Sequence, residues 1–456
     1  MGRRLAGRSR GQSDPLALSV ETVERAIAAG AAEAEATLTI VERFSVSARG
    51  AITETLEQST GRSLMLRVIA AGGKKATLVS SDLSSENLAE LVRNAVDAAR
   101  FVGADPFVGL PETSSPPSPD ATIPGMYDSK VRERASEAKI DDALALEATA
   151  RGVDARIVNS GGSRVVDSVG TIALSNSKGF RGTYQASQAL RDTEPIAQDG
   201  ENKRIGHYGS AARGYSALES VDSIARTAAH RALDFCGARK PQTMRCPVIF
   251  ERDVAAYVLS DVFSALNAQN VAIGNSFLIG KVGTKIGSEV VNVCDDGTLP
   301  EGLGTSPFDA EGVPMRRTVV FRRGVLETFL YDTYYGRKLG AASTANAAGG
   351  GIGANNFYLE PGKQTLEELI AATKRGILIV DTIGFAHESA SGTYSRGARG
   401  FLIENGERAH PVDEFTVAGN LLEMLAGLDG IANDLRFDGT IVSPSFRISE
   451  MTISGG

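Results

Sequence analysis

The residue types that carry most catalytic chemistry are few in this chain and badly spaced for it. The four histidines are His207, His230, His387 and His410. No two of them lie three, four or five positions apart, so no helix or tight turn brings two imidazoles to one metal ion. His387-Glu388 has the opening of an HExxH zinc helix, but Ser391 and Gly392 stand where the second ligand belongs. The cysteines, Cys236, Cys246 and Cys294, form no C-x-x-C pair, and so small a number in a long chain fits a reducing compartment. Cys246 leads through Pro247 into an apolar run and reads as buried and inert. Ser175-Asn-Ser-Lys178 matches S-x-x-K, but it sits in a hairpin turn and not at a helix start; there is no G-x-S-x-G elbow.

Two acidic clusters, Asp295-Asp296-Gly297 and Asp309-Ala-Glu311-Gly312, lack the alternating ligands of a calcium loop and read as acidic turns before a strand. The run from Gly349 to Gly353 has no Lys-Ser or Lys-Thr after it, and reads as flexible or closely packed backbone, not a phosphate loop. Taken residue by residue, the chain has no self-sufficient catalytic constellation.

The elements around these residues follow from composition and periodicity. The chain has 456 residues, 42% of them hydrophobic and 23% charged, enough apolar material for a large core. Net charge is −7, which argues against a nucleic-acid binder. Glycine is abundant, 50 residues, and tryptophan is absent, which favours tight turns and close backbone contacts over a bulky aromatic pocket. The N-terminus is basic with no apolar core after it, so it does not read as a secretory signal, and no apolar run is long enough to span a bilayer. These features favour a cytoplasmic protein.

Helices are expected over about 19–29, 84–102, 129–150 and 218–235, with strand meanders over 37–80 and 155–190. Six prolines between 103 and 124 mark a surface loop. Beyond the run from Ala238 to Pro247 the chain reads as a short strand, a helix over 254–266, a hairpin about Arg323-Gly324, a helix over 363–374 capped by Thr365, and strands almost throughout from Gly376 onward, with a tight turn at Asn405-Gly406. The expected class is α+β. A disordered basic tail (1–15) precedes an N-terminal α+β domain (16–240) of helices flanking antiparallel meanders, and a C-terminal domain (241–456) is mostly antiparallel β, sandwich- or barrel-like.

Several C-terminal stretches occur in one register: Gly302-Leu-Gly-Thr-Ser-Pro-Phe-Asp309-Ala-Glu311-Gly312, Arg323-Gly324-Val-Leu-Glu-Thr, Tyr335-Gly-Arg337-Lys338-Leu-Gly340, Tyr394-Ser-Arg396-Gly397-Ala-Arg399-Gly400-Phe, Ile403-Glu404-Asn405-Gly406, Ala418-Gly419-Asn420 and Asn433-Asp434. In order and spacing, over about 200 residues, they resemble the TldD/PmbA (TldD/TldE) family, once described as modulators of DNA gyrase. The resemblance implies two kinds of subunit. TldD-type chains carry a zinc-binding HExxxH helix and a further ligand near the C-terminus; PmbA/TldE-type chains lack them. Here the corresponding helix reads Leu259-Ser260-Asp261-Val-Phe-Ser-Ala265-Leu266, with Ser260, Asp261 and Ala265 about where the two histidines and glutamate would stand, and no cysteine follows Cys294.

The resemblance therefore implies a non-catalytic PmbA/TldE-type subunit, with no cofactor of its own. It would pair with a zinc-bearing TldD-type chain, and the pair would hydrolyse short or unfolded peptides, including leader segments of modified peptides. The candidate substrate- or partner-binding residues are Tyr394, Arg396, Arg399, Asn355 and Asn356. The glycines of Gly392–Phe401 suit close approach of an added strand. Two rival readings are a homodimeric peptide- or protein-binding module without chemistry, and a self-sufficient hydrolase at Ser175/Lys178 or His387/Glu388.

Overall fold

The structure, a computed structural model, describes residues 14–112, 123–384 and 387–455, and of His387 the backbone alone. Most of the expected basic tail, and residues 113–122 of the proline-rich loop, lie outside the described residues.

The first half runs α1 (Pro15–Ala28), β1 (Glu33–Arg49), β2 (Ile52–Ala70), β3 (Lys74–Ser80), α2 (Ser85–Phe101), α3 (Ser129–Glu133), α4 (Ser136–Gly152), β4 (Ile157–Asn176), β5 (Arg181–Asp199), β6 (Asn202–Ile205), β7 (Tyr208–Ala212) and α5 (Val221–Leu233). Local chemistry sets these bounds. The Asp14 carboxylate accepts from the Leu16 amide and Pro15 opens α1, so that helix begins earlier than periodicity alone suggests. Ser84 and Ser220 cap α2 and α5. The strands form a seven-stranded sheet in the order β3-β2-β1-β4-β5-β6, with β7 also on β5.

The second half runs β8 (Met244–Phe250), α6 (Arg252–Leu266), α7 (Ala268–Ala272), β9 (Val293–Asp296), β10 (Arg317–Arg322), β11 (Val325–Leu326), α8 (Thr333–Leu339), β12 (Ala347–Ala348), β13 (Gly351–Ile352), β14 (Phe357–Leu359), α9 (Leu366–Ala371), β15 (Arg375–Ile383), β16 (His387–Glu388), β17 (Thr393–Glu404), β18 (Glu407–Asn420), α10 (Leu421–Gly427), β19 (Leu428–Ile431), β20 (Ile441–Val442) and β21 (Phe446–Ser454). Two hairpins have the chemistry their residues demand. Arg323-Gly324 and Asn405-Gly406 both adopt positive φ, 50° and 77° in the first and 54° and 80° in the second, the conformation a two-residue turn needs.

The α+β class is as expected, and the barrel alternative is the one realised. β15, β8, β21, β18 and β17 are neighbours in that order, and β15 also pairs with β17, so five strands close on themselves. The ring has one parallel pair, β8 with β15. A second sheet runs β11-β10-β9-β14-β20.

The chain divides into two compact units. Of the described residues the first comprises 14–41, 60–112 and 170–185, and its core gathers Val23 of α1, Leu64, Leu66 and Val68 of β2 and Leu91 and Val92 of α2. The second comprises 42–59, 123–169, 186–384 and 387–455. Its main core lies between α6 and the two C-terminal sheets, around Phe250, Val262, Phe321, Phe357 and Tyr394.

The strand run expected from Gly376 onward is interrupted by α10. Leu421, Met424 and Leu425 lie at helical spacing on its buried side, and the Asn420 side chain accepts from the Leu422 amide to start it. β11, the returning strand of the hairpin about Arg323-Gly324, is only two residues long.

Candidate functional site

Helix α6 leaves the barrel at the end of β8 and buries Val254, Val258, Leu259, Val262 and Leu266 against the core. Asp261 lies on the same buried side. Its carboxylate accepts from Arg396 of β17, whose Nη2 lies 3.1 and 3.0 Å from the two oxygens. Both side chains are almost enclosed, 7% and 13% exposed. Tyr257 and Tyr394 flank the guanidinium, each ring 5.9 Å away. Tyr394 is fully buried, packs edge-to-face on Phe250, and has a hydroxyl pushed far up by burial.

A metal ion does not fit this helix. Its one carboxylate at the relevant turn is held by a cation, and Ser260 and Ala265 supply no imidazole. Among the described residues no group of three or more His, Cys, Asp or Glu side chains is placed to hold a metal ion.

Strand β17 has neighbours on both sides: β18 along one edge, β15 and β16 along the other. The close backbone approach that its glycines permit is made within the chain. A β-carbon on Gly400 would lie 1.9 Å from the Leu378 carbonyl oxygen of β15. What the segment offers an outside molecule is therefore its side chains, among them Arg399. Arg399 stacks on Phe235 at 4.8 Å and its Nη2 lies 2.7 Å from the Asp381 carboxylate.

Arg399 opens into a cavity of ≈ 380 Å³ whose wall also includes Tyr208, Arg231, Arg252, Asp253, Arg436 and Asp438. Tyr208 is its hub. The Tyr208 hydroxyl donates to Glu219 at 2.8 Å and accepts from Arg252 at 2.8 Å and Arg436 at 2.7 Å. Arg231 and Arg436 stand over its ring at 4.9 and 5.1 Å. Arg231 reaches Glu251 at 2.9 Å and Asp253 at 2.8 Å. Burial pushes the Glu251 carboxyl up, and the Arg231 charge works against it. Of the expected site residues, Arg399 lines this cavity, whereas Arg396 and Tyr394 lie outside its wall.

Asn355 and Asn356 belong to a buried polar network. The Asn355 side chain donates to Asp295 at 3.1 Å and to the Ala345 carbonyl at 3.0 Å, while its backbone amide donates to Asp295 at 3.0 Å. Asn346 adds a bond to Asp295 of 2.6 Å. Asn356 donates to the Asp296 carbonyl and to Thr305 and accepts from the Gly304 amide. The reading of Asp295-Asp296 as turn residues is corrected here, whereas Asp309-Ala-Glu311-Gly312 is the turn before a strand that was expected, closed by the Gly312 amide on the Asp309 carbonyl at 3.0 Å ahead of β10. Asp295 and Asp296 end β9, and Asp295 and Asp309 are 1% and 3% exposed. Burial pushes their carboxyls up to about 7 and about 8. Arg213 clamps the same loop, donating to the carbonyls of Gly302, Leu303 and Thr305.

The hydrolase candidates fare differently. Lys178 is spent on Glu33, Glu112 and the Leu110 carbonyl, so it is a paired cation and no free base for Ser175. Glu388 accepts from Ser391, and the side chain of His387 lies outside the described residues.

Sequence reasoning missed Tyr208, Arg213, Arg231, Arg252 and Arg436. They come from separate elements and share no local pattern; only the polar turn at Arg436-Phe-Asp438-Gly439, just after Asn433-Asp434, carries a hint.

This fold has known counterparts. Residues 34–99, 130–235 and 243–455 match, in turn, domain 1, the central domain and the C-terminal domain of the PmbA/TldA metallopeptidases. A metalloprotease PmbA homologue of Haemophilus influenzae is 30% identical over 436 residues, covering 95% of this chain and 94% of that one. Metalloprotease PmbA of Escherichia coli O157:H7 is 29% identical over 426 residues, 92% of each. A Bacteroides thetaiotaomicron structure described as a proposed modulator of DNA gyrase superposes with a TM-score of 0.90 at 27% identity, covering 96% of this chain and 98% of that one. TldE from Thermococcus kodakarensis shares the fold, with a TM-score of 0.87 at 22% identity over 96% of this chain and all of that one. The chain belongs to the TldD/PmbA family, and is a peptidase-related protein of that family.

Proposed function

We propose that this chain is a PmbA/TldE-type companion subunit without a metal centre of its own. It pairs in the cytoplasm with a zinc-bearing TldD-type chain, and the pair hydrolyses short or unfolded peptides, leader segments of modified peptides among them. The TldD-type partner supplies the metal and the water it activates. This chain closes one side of the chamber and holds the extended peptide, with Arg399 and its cavity as the contact surface. Orientation of a flexible substrate contributes much of a catalysed rate, so losing such a wall would be severe.

What carries this reading is Arg396 on Asp261. At the turn of α6 where the family resemblance would put a metal motif, this chain has an enclosed ion pair between side chains 135 positions apart. The test is to co-express the chain with an HExxxH-bearing TldD-type chain from the same genome, purify each alone and together, and follow cleavage of an unstructured peptide. The pair should cleave, this chain alone should not, and the partner alone should be slow. Full cleavage by the partner alone, unchanged on adding this chain, would sink the proposal.

A further inference from the structure

Strand β2 lies between β3 and β1, but β3 covers it only from Leu64 to Ala70. Among the described residues no strand pairs with that edge from Ile52 to Arg62, and all eleven residues of this stretch are exposed. A row of unpaired backbone N–H and C=O groups is a template for a further strand, and soluble proteins usually blunt it with lysine, proline, a bulge or short length. The neighbouring edge strand, β3, follows that rule, with seven residues that open on Lys74-Lys75. The bare stretch of β2 is longer and contains neither lysine nor proline.

Its side chains match themselves when the strand is reversed about Gln58. Strand residues alternate between faces, so Glu54, Leu56, Gln58, Thr60 and Arg62 share one face. With a second copy laid antiparallel and Gln58 opposite Gln58, Glu54 of each copy faces Arg62 of the other and Leu56 faces Thr60. Two opposite-charge pairs and an amide pair then join one contact, and the segment Glu54–Arg62 ends just short of Leu64, where β3 takes over the edge. Other registers lose this match. Centred on Glu57, the pairing sets two glutamates against each other, and like charges directly opposite are destabilising. Centred on Leu56, it leaves Arg62 opposite the turn at Gly50.

We propose that Glu54–Arg62 of β2 is a docking edge for a second copy of this chain, the two strands pairing antiparallel about a two-fold axis at Gln58. Main-chain hydrogen bonds supply the attraction and the side-chain pairs fix the register. A contact of one strand is smaller than a standard interface, so the dimer is weak, with a dissociation constant on the order of micromolar or above. The docking edge does not rest on the companion-subunit reading.

The experiment uses the full chain alone. Sedimentation equilibrium across micromolar concentrations should show a monomer–dimer equilibrium. Glu54→Arg should raise the dissociation constant on the order of tenfold, since each opposite-charge pair becomes a like-charge pair, and Glu54→Arg combined with Arg62→Glu should restore it. In a Cys236→Ser background, which removes the partly buried thiol, Gln58→Cys should form a disulfide-linked dimer under mild oxidation. Leu56→Cys should not, because in this register the two sulfurs are offset by four residues, about 14 Å along the strands. These positions are exposed, and melting curves of the variants should match the parent. A monomer at every concentration, a dimer indifferent to Glu54→Arg, failure of the double exchange to restore it, or cross-linking through position 56 in preference to 58 each overturns the proposal. A monomeric chain whose thiol at position 58 is shielded only on adding an unstructured peptide or a TldD-type chain gives the edge to that occupant and overturns the second copy.

Discussion

Arg396 of β17 meets Asp261 of α6 through a single nitrogen, Nη2, placed almost equally from both carboxylate oxygens, at 3.1 and 3.0 Å. Breaking an enclosed pair from one side leaves the other charge stranded, which typically costs about 3–5 kcal/mol. Asp261→Ala should therefore lower the urea midpoint sharply. Asp261→Leu combined with Arg396→Met should recover much of the loss, because apolar replacements of similar volume strand no charge. Equal destabilisation by the single and double variants would show that the pair is not a coupled unit.

Metal content follows from the same helix. The isolated chain should bind no stoichiometric zinc, since the donors near Ser260 and Ala265 are absent and Asp261 is engaged by a cation. Elemental analysis of chain purified without chelator checks this, and one tightly held zinc per chain would contradict it.

Stability should depend on pH through Asp309. Its carboxyl rises from an ordinary 3.8 to about 8, first through burial and then through the neighbouring Glu311 charge. An acid raised in the folded state binds its proton more tightly there than in the unfolded chain. Between pH 3.8 and about 8 the folded state thus holds more protons, and stability falls as pH rises. The slope for one such group is at most about 1.4 kcal/mol per pH unit, and it vanishes above the folded value. Urea melts of the parent chain and Asp309→Asn across this window should differ in slope, with the variant flatter. Parallel curves would mean that Asp309 is ionised throughout.

The thiols should react in a set order. Burial pushes Cys246 and Cys294 up to about 11, and both are enclosed, whereas Cys236 is only partly buried. A thiol reagent at pH 8 should label Cys236 first in the native chain and reach the other two only on unfolding. Early labelling of Cys246 would contradict its place in the core.

Two glycines of β17 should respond very unequally to alanine. At Gly400 the new β-carbon meets the Leu378 carbonyl oxygen at 1.9 Å, whereas at Gly397 the nearest atom, the Ile383 carbonyl oxygen, is at 3.4 Å. Gly400→Ala should cost about 3 kcal/mol or more by forcing β15 and β17 apart. Gly397→Ala should stay within about 1 kcal/mol of the parent.

Much of this was open to a reader of the residues. The helices with a clear apolar side, the turns at Arg323-Gly324 and Asn405-Gly406, and the capping box of Thr365 with Glu368 are local, and local chemistry decides them. Other features were hidden because distant groups decide them. Asp295-Asp296-Gly297 has the letters of a turn, yet Asn346 and Asn355, 51 and 60 positions on, bury Asp295 at the end of a strand. The cavity is harder still. Arg399 was singled out from its segment, but Tyr208, Arg231, Arg252 and Arg436 join it only once β7, α5, α6 and the turn before β20 have come together.

The closed ring of five strands also sets a timetable for the growing chain. β8 is the first of the ring's strands to be made, and its two neighbours in the ring begin 125 and 196 positions after it ends. At ~5–20 residues per second, the interval to β21 is on the order of 10–40 s on the ribosome. Throughout that interval Met244–Phe250, an apolar strand, is available to any other strand that drifts past. The same closure that leaves the finished ring without a free edge thus makes the unfinished chain dependent on shelter, and places its greatest risk of aggregation in the moments before Phe446–Ser454 emerges.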